Sequence, residues 1–570
     1  MRLTHIRLFV FCLLIFIVAG LFYTQIIRGA SYHTKSVNNR IRAVSVEGPR
    51  GRIFDRNGLV LADNHKAFHV GVIPQDMGDK DELFAYLGRL LQKDVKQLRR
   101  QYEAKRRTPF TPVILAQDVP KEIVVKVKED QLLYPELVIE EGFERYYPFA
   151  LSGAHVLGYV GKIDPDEIDD LQSFGYTLLS VIGKSGIEKK YDNVLRGFPG
   201  GRQIEINARG QEVRLLGLKE PVKGHDIVLT IDARLQNVAQ DLLEDRRGAV
   251  VVMDLNNGEV LSMVSNPSFD PNAFSDRSRQ GLLSGYFNNA ASPLMDRAVL
   301  GQYPPGSVFK VPVALAALEL GQIVPSTTFD CPGFYSLGQT KFGCSHVHDK
   351  EDLRQAIAHS CNVYFYRLGR MLGASTIGAW AKAFGLGRPT GIDLPYENKG
   401  KVVSAPRQGK SWYTGNTLNL SIGQGETLAT PLQLTVLMAA VANDGVILKP
   451  RLAKALNNKL IPPLDFSKQP MVRLHDATWR VVQEGLREVI KDADGTANIL
   501  NDLSNIKIYG KTGTAQSGGE RAHHAWFAGY ARSSKNNIAF CIFLEYGGSS
   551  ANAVALTKQL LAQMQVLKII

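Results

Sequence analysis

An uncharged apolar run near the N-terminus constrains this chain more than any other feature. From Leu8 to Ile27, twenty positions carry no Asp, Glu, Lys or Arg. As a helix, the run would be about 30 Å long at roughly 1.5 Å per residue, which is enough to cross a bilayer. A cleaved secretory signal has an apolar region of only about 7–15 residues and ends at a small-residue site, which the following residues supply poorly. The run therefore predicts an uncleaved membrane anchor.

The flanking charges and the rest of the chain bear on its orientation. Arg2 and Arg7 precede the run and favour a cytoplasmic N-terminus, whereas Arg28 and later basic residues weaken that signal. No second run of comparable length follows. We therefore expect a single-pass protein with the bulk of the chain outside the cytoplasm.

Length and charge limit the class of protein. At 570 residues the chain is too long for one core, so two or more folded domains are expected. A formal charge of +12 could suit nucleic acid, but the basic residues are spread along the chain without an aromatic-interleaved basic motif. A basic protein that faces anionic lipid or wall polymer fits as well, and we predict no nucleic-acid partner.

The pattern of predicted elements changes near residue 222. Before that point the chain reads as irregular α+β, with helical periodicity over 80–105 and 121–130 and strand character from Ala154. After it, strands come first, helices dominate the middle, and two strands and a helix end the chain. The early and late strands could pair into one antiparallel sheet with helices on its faces. We therefore divide the chain into residues 1–27, 28–221 and 222–570.

A serine and a lysine one helical turn apart open an apolar helix after two prolines and a glycine. They are Ser307 and Lys310. A nucleophilic serine needs a base within hydrogen-bond reach, and a lysine three residues on lies on the same helix face. Neutral lysine can be that base if burial and a second cation lower its pKa, and Lys511 is the candidate cation. The alternative interpretation is that Ser307 only caps the helix.

No single motif is specific, because similar ones occur elsewhere in the chain. Ser504–Lys507 repeats the Ser-x-x-Lys spacing, and Lys184–Gly186 imitates Lys-Thr-Gly. The ordered set is specific: Ser307–Lys310 opens one helix, Ser360–Asn362 opens another, and Lys511–Thr514 follows in a strand-like stretch. Chance explains one such motif easily and the ordered triple poorly.

The ordered set resembles the motifs of the penicillin-binding serine transpeptidases. The resemblance extends to "RGRIFDRNG", "GKSGIEKKYDNVLRG" and "GQGETLATPLQL", and so covers nearly the whole chain. It is greatest to the monofunctional class B enzymes of cell elongation in Gram-negative bacteria. It implies a multidomain α+β protein: a transmembrane helix, an irregular α+β pedestal similar to a dimerisation domain over 28–221, and a transpeptidase fold over 222–570 with an antiparallel sheet flanked by helices.

The resemblance also implies a reaction. Ser307 would attack the D-Ala-D-Ala carbonyl of a peptidoglycan stem peptide, and Lys310 would take the serine proton. Ser360 would pass a proton towards the leaving amine, and Asn362 would hold Lys310 and the substrate amide. An amine from a neighbouring stem would then resolve the acyl-enzyme and form a cross-link, while β-lactams would acylate the same serine.

The third motif would bind the substrate. By resemblance, Lys511 supplies positive potential, and Thr512 and Thr514, on either side of Gly513, bind the terminal carboxylate. The backbone N–H groups of Ser307 and Thr514 would form the oxyanion hole, and losing one such donor typically costs about 10²–10³ in rate.

Three cysteines and a histidine lie close together in the sequence around the second motif. Cys331, Cys344, His348 and Cys361 form the spacing C-x12-C-x3-H-x12-C. A four-ligand Cys/His set that closes a loop is what a structural zinc site needs, and the resemblance implies such a site, with its last ligand inside the second motif. Acyl transfer itself needs no cofactor.

Two alternatives remain open at this cluster. An oxidising envelope would allow a Cys331–Cys344 disulfide, with Cys361 left as a free buried thiol. If zinc is bound, His346 or Asp349 could replace His348 as a ligand.

Other functions use the same three motifs. A β-lactamase or a D,D-carboxypeptidase would need a dedicated deacylation base, and none is identifiable. A β-lactam sensor would need output machinery that the short cytoplasmic tip lacks, and a bifunctional glycosyltransferase would need an acidic motif before the second domain. A division-specific class B enzyme is the nearest alternative to an elongation enzyme.

By resemblance, the expected partners are stem peptides, β-lactams, a membrane-embedded glycan polymerase of the shape, elongation, division and sporulation family, and other elongation-complex proteins in the bacterial inner membrane.

Overall fold

A computed structural model gives the structure of the chain, and it describes residues 2–32, 41–106, 109, 112–174, 176, 180–206, 212–276, 279, 281–403, 411–462, 464–518 and 521–570. The chain forms two compact units. The first contains Met1–Arg50, Asn64–Glu144 and Arg196–Gly224, and the second contains Gly51–Asp63, Arg145–Leu195 and His225–Ile570. The boundary between Gly224 and His225 lies close to the division predicted at residue 222. The segments Gly51–Asp63 and Arg145–Leu195 precede that boundary but belong to the second unit.

Strands and helices occur in both units. The strands are β1 (Ile41–Val46), β2 (Ile53–Phe54), β3 (Val60–Val72), β4 (Val113–Ala116), β5 (Leu137–Tyr146), β6 (Val160–Lys162), β7 (Val181–Gly183), β8 (Gly200–Ile206), β9 (Glu212–Lys219), β10 (Ile227–Leu229), β11 (Gly248–Asp254), β12 (Val260–Asn266), β13 (Phe329–Cys331), β14 (Phe334–Leu337), β15 (Thr340–Gly343), β16 (Asp349–Glu351), β17 (Ala453–Leu456), β18 (Lys459–Leu460), β19 (Lys507–Ala515), β20 (His524–Arg532) and β21 (Ile538–Leu544). The helices are α1 (Arg2–Phe22), α2 (Lys80–Leu91), α3 (Val95–Lys105), α4 (Lys121–Asp130), α5 (Ala154–Leu157), α6 (Ile168–Leu171), α7 (Gly186–Lys190), α8 (Asp192–Leu195), α9 (Ala233–Leu243), α10 (Asn272–Ser275), α11 (Gly281–Phe287), α12 (Lys310–Glu319), α13 (Leu353–Ala358), α14 (Asn362–Ala383), α15 (Thr414–Ser421), α16 (Pro431–Ala442), α17 (Asp476–Lys491) and α18 (Ser550–Val566).

The predicted anchor is helical. Helix α1 continues through a π-helical turn at Tyr23–Ile27. Across the described ranges, Thr4–Ile27 is the one helix long and apolar enough to cross a membrane. Its side chains are exposed, as expected for a segment that packs against lipid. The segment therefore fits a single membrane crossing.

The first unit has a core of sheet strands and amphipathic helices. Strands β3 and β4 pair antiparallel, and α2 buries Leu83 and Leu87, four residues apart on one face. The helical periodicity predicted over 80–105 corresponds to two helices, α2 and α3, separated by a short turn. Gln92 adopts a left-handed conformation at the end of α2, and the Asp94 side chain caps α3.

The second unit is built on a five-stranded antiparallel sheet. Its order is β12-β11-β21-β20-β19, so the early strands pair with the last ones as predicted. Every residue of β11, β12 and β21 is buried, because α16 packs on one face and α9 and α18 on the other. Near-continuous apolar runs are what a sheet covered on both faces requires. The predicted fold class is confirmed.

The strand predicted to begin at Ala154 is wrong in its first part. Residues Ala154–Leu157 form the one-turn helix α5, and β6 starts only at Val160. Gly153 and Gly158, both with positive φ, bound this turn. A Cβ on Gly158 would lie 1.9 Å from Ser185 O, so a tertiary contact overrides the local strand pattern.

Candidate active site

The candidate nucleophile lies in a tight turn that packs against β19 and leads into an apolar helix. Ser307 belongs to the 3-10 turn Gly306–Phe309, which leads directly into α12. It is partly exposed, whereas Val308 and Phe309 are buried. The N-cap of the turn is Pro305, so Ser307 is not the capping residue. At the second position of this helical stretch, its N–H has no intrahelical acceptor.

Close glycine packing fixes the turn against β19. Gly306 has φ +54°, and a Cβ there would lie 2.9 Å from Thr514 O. Its N–H donates to Gly423 O at 3.0 Å. A Cβ on Gly423 would in turn lie 2.2 Å from Gly306 O. The backbones of Gly306, Gly423 and Thr514 can therefore approach this closely only because two of the three are glycines.

Lys310 is buried beside the second motif. Its Nζ donates to Ser360 O and Asn362 Oδ1, both at 2.7 Å, and to Ser360 Oγ at 3.2 Å. Burial lowers the pKa of Lys310 to about 8. In the part of the chain that the structure describes, Ser307 Oγ forms no hydrogen bond, so the predicted contact with Lys310 is not made. Such catalytic hydrogen bonds often form only with substrate bound.

The second motif has an unusual backbone conformation. Ser360 has φ +59° between the end of α13 and Cys361, which is the N-cap of α14. A left-handed residue with a side chain costs about 1–2 kcal/mol. This conformation turns both oxygen atoms of Ser360 towards Lys310 Nζ.

The third motif lies on β19 and contributes a second buried lysine. Lys511 is fully buried, and its Nζ has no hydrogen-bond partner within the described ranges. Burial and the charge of Lys310 lower the pKa of Lys511 well below its ordinary value. Two ammonium groups in one buried site repel each other, which favours neutrality of one of them.

The two threonines of the third motif differ in exposure. Thr514 is exposed, whereas Thr512 is buried and its Oγ1 lies 2.8 Å from Thr496 Oγ1. Gly513 lies between them, where a Cβ would be 3.0 Å from Pro305 O. The Gln424 side chain donates to Thr514 O at 3.3 Å. Sequence reasoning missed Thr496 and Gln424 as parts of the site.

The structure brings the predicted metal ligands together. One donor atom from each of Cys331, Cys344, His348 and Cys361 lies within 4.8 Å of every other. His348 Nδ1 lies 3.5 Å from both Cys331 Sγ and Cys344 Sγ. Zinc with Zn–S bonds of about 2.3 Å and Zn–N bonds of about 2.0 Å at tetrahedral angles places sulfur and nitrogen about 3.5 Å apart. The donor set therefore fits zinc.

The arrangement at this cluster differs from the two alternatives left open by the sequence. All five cysteines are free thiols, so Cys331 and Cys344 form no disulfide. His348, and not His346 or Asp349, lies in the four-residue group.

The cluster is joined directly to the second motif. The backbone N–H of Asn362 donates to Cys344 Sγ at 3.1 Å, and its side-chain amide donates to Gly343 O at 3.2 Å. Hydrogen bonds from Cys361 and from backbone N–H groups lower the pKa of Cys344 to about 4. Cys344 is therefore poised as a thiolate, the form that binds metal.

Comparison with known proteins gives the family. The profile of the penicillin binding protein transpeptidase domain matches residues 248–563, and that of the penicillin-binding protein dimerisation domain matches residues 45–229. The peptidoglycan D,D-transpeptidase MrdA of Haemophilus influenzae is 32% identical, over 96% of this chain and 89% of the relative. The chain belongs to the class B penicillin-binding proteins.

Solved structures of penicillin-binding proteins have the same fold. The structure of PBP2 in complex with MreC from Helicobacter pylori is 29% identical, with a TM-score of 0.82 over 93% of this chain and 100% of that one. A chain from a peptidoglycan synthase complex that coordinates polymerization and crosslinking is 30% identical, with a TM-score of 0.73 over 98% of both chains. This class B penicillin-binding protein thus matches its relatives over nearly its full length.

Proposed function

We propose that this protein is a peptidoglycan D,D-transpeptidase that cross-links stem peptides through a serine acyl-enzyme during lateral wall elongation. One observation carries the proposal: Lys310 is buried and held by Ser360 and Asn362, directly behind the turn that presents Ser307. Ser360 and Lys511 follow Ser307 by 53 and 204 residues in sequence. Segments distant in sequence therefore meet at Lys310, and this supports the proposal because a nucleophilic serine needs a base close by.

The first half-reaction forms the ester. Ser307 Oγ attacks the carbonyl carbon between the two D-alanines, and its proton passes to neutral Lys310 Nζ. The N–H groups of Ser307 and Thr514 stabilise the oxyanion. The carbonyl–nitrogen bond then breaks, and Ser360 transfers a proton from Lys310 to the departing D-alanine amine.

The second half-reaction forms the cross-link. An amine of a neighbouring stem attacks the ester carbon, its proton passes to Lys310, and Ser307 recovers a proton as it leaves. Lys511, Thr512 and Thr514 hold the terminal carboxylate of the donor in the first half-reaction. A β-lactam carboxylate occupies the same place, and its ring carbonyl acylates Ser307.

The test is a cross-linking assay with the full-length protein in detergent. A glycan polymerase and a pentapeptide-bearing lipid-linked precursor supply nascent strands, and muropeptide analysis measures D-alanine release and dimers. We expect both products, and neither with Ser307→Ala. Release of D-alanine without dimers would indicate a carboxypeptidase instead, and activity retained by Ser307→Ala would contradict the mechanism.

Zinc is the second part of the proposal. Cys331, Cys344, His348 and Cys361 would hold it, and the 3.5 Å sulfur–nitrogen distances support this assignment. Zinc there would cross-link the end of β13, the residues that follow the β14–β15 hairpin, and the start of α14. It takes no part in proton or acyl transfer.

The third part concerns location and partners. We place the N-terminus in the cytoplasm and the transpeptidase domain, residues 222–570, in the periplasm, and we assign residues 28–221 to the pedestal. The complex of the Helicobacter pylori relative with MreC supports elongation-complex partners, and the synthase-complex relative supports a membrane-embedded glycan polymerase. Depletion in the native bacterium should abolish rod shape, whereas filamentation would indicate a division enzyme.

A further inference from the structure

A threonine outside the three motifs contacts the third motif. Thr496 Oγ1 lies 2.8 Å from Thr512 Oγ1. Thr496 is exposed, whereas Thr512 is 3% exposed. The exposed hydroxyl is thus a polar neighbour of a buried hydroxyl to which substrate binding is assigned.

The backbone around Thr496 is fixed by several hydrogen bonds. It lies in the loop after α17, where Ala497 N donates to Val489 O at 2.9 Å and Asn498 Nδ2 donates to Asp492 O at 2.7 Å. A Cβ on Gly495 would lie 2.6 Å from Val489 O, so glycine permits this close return of the chain. The loop therefore holds Thr496 in a defined position.

Thr496 also reaches the segment that leads into the second motif. Its N–H donates to Ala358 O at 3.3 Å, and its Oγ1 lies 3.4 Å from the same carbonyl oxygen. Ala358 ends α13 two residues before Ser360. Thr496 thus connects the segment carrying the proton-transfer serine with the strand carrying the carboxylate-binding threonines.

The chemistry of hydroxyl groups determines which of the two threonines donates the hydrogen bond when a ligand is bound. Each threonine has one proton to donate, and an ionised carboxylate can only accept. For Thr512 to donate to a carboxylate, it must withdraw its proton from any other acceptor. Its oxygen can then accept a hydrogen bond from Thr496, which keeps the buried Thr512 oxygen satisfied.

We propose that Thr496 is a positioning residue that sets the direction of the Thr512 hydroxyl. Without ligand, Thr512 donates to Thr496, and Thr496 donates to Ala358 O. With a D-alanine or β-lactam carboxylate bound, Thr512 donates to the carboxylate and Thr496 donates to Thr512. The proposal rests on the proposed function, because it takes Thr512 to be a carboxylate ligand.

The test separates binding from chemistry in the acylation of the full-length protein by penicillin. Stopped-flow acylation gives the dissociation constant of the non-covalent complex and the rate constant of ester formation. Thr496→Val removes the hydroxyl at nearly constant shape. Losing one net hydrogen bond should weaken non-covalent binding about 3–10-fold, with the ester-formation rate constant unchanged within twofold. Thr496→Ser should restore binding.

A double variant distinguishes positioning from a general structural effect. If Thr496 acts through Thr512, then Thr496→Val should have no further effect on binding in a Thr512→Val background. An equal loss of penicillin binding in the wild-type and Thr512→Val backgrounds would overturn the proposal. So would an effect of Thr496→Val on the ester-formation rate constant alone, or a failure of Thr496→Ser to restore binding. Should Thr496→Val unfold, Thr496→Ala replaces it in the same scheme. Failure of wild-type Ser307 to acylate would instead refute the proposed function.

Discussion

Cys344 Sγ accepts the backbone N–H of Asn362 at 3.1 Å. The Asn362 side chain in turn accepts a hydrogen bond from Lys310 Nζ at 2.7 Å. One residue therefore joins the Cys/His cluster to the candidate base. Rigid packing of this kind lets a bound metal position a catalytic side chain that it does not touch.

Loss of a ligand should therefore affect both metal content and acylation. We expect about one zinc per chain in the purified full-length protein, and much less than one in His348→Ala. The variant should also unfold at a lower temperature and acylate with penicillin about 10–100-fold more slowly, the range found when metal-supporting contacts are lost. Elemental analysis, thermal unfolding and labelling kinetics measure these three quantities.

His346→Ala is the matched control for zinc. It removes a histidine two residues away that lies outside the ligand group, and it should retain zinc and acylation. Protein without stoichiometric zinc, in which Cys331 and Cys344 are disulfide-linked, would refute the zinc assignment.

The pH dependence of acylation should report on Lys310. Burial lowers its pKa to about 8, and only the neutral amine can take the Ser307 proton. The neutral fraction then rises about tenfold between pH 7 and pH 9, and the second-order rate constant for penicillin should rise with it and level off above pH 9. A rate that is flat from pH 6 to 9, or that falls as pH rises, would exclude Lys310 as the base.

The same lowered pKa has a consequence for stability. Between about pH 8 and the ordinary lysine value, the unfolded chain holds a proton that folded Lys310 has lost, so the contribution of this group to stability rises with pH in that window. Below pH 8 both states are protonated, and the contribution stays at its least favourable value.

Gly423 should be essential for the shape of the nucleophile turn. It has φ +70°, and a Cβ there would lie 2.2 Å from Gly306 O. Gly423→Ala should cost about 1–2 kcal/mol for the left-handed backbone and about 1–3 kcal/mol more for overpacking. It should also slow acylation by displacing Ser307. Chemical denaturation and penicillin labelling measure the two effects.

Gly425 is the matched control for this substitution. It has φ +83°, but within the described residues no atom outside its two chain neighbours lies within 4 Å of its Cβ position. Gly425→Ala should therefore show the backbone cost alone and leave acylation unchanged. Equal effects of the two substitutions would mean that the contact with Gly306 is unimportant.

The sequence predicted the elements and motifs that depend on local pattern. Apolar runs predicted the paired strands β20 and β21, and the ordered motifs predicted that Ser307, Ser360 and Lys511 belong to one site. The predicted anchor follows from length and charge alone. The strands and the anchor are local features of neighbouring residues, whereas the grouping of the three distant motifs followed from their order along the chain and from the family resemblance.

Features that depend on tertiary contacts could not be predicted. The contact of Thr496 with Thr512 joins a loop to a strand, and neither residue type nor spacing marks it. The left-handed Ser360 and the choice of His348 over His346 depend on how α13, α14 and the β14–β15 hairpin pack. Helix α5 forms where a strand was expected, because Gly153 and Gly158 on either side of it have positive φ, which an extended strand does not adopt.

Mapping the residue that penicillin acylates shows directly whether Ser307 is the nucleophile. The full-length protein in detergent is incubated with penicillin, digested and analysed by tandem mass spectrometry, with Ser307→Ala treated in parallel. We predict a single stoichiometric adduct on Ser307 and no labelling of the variant. An adduct on any other residue, or undiminished labelling of Ser307→Ala, would show that Ser307 is not the nucleophile.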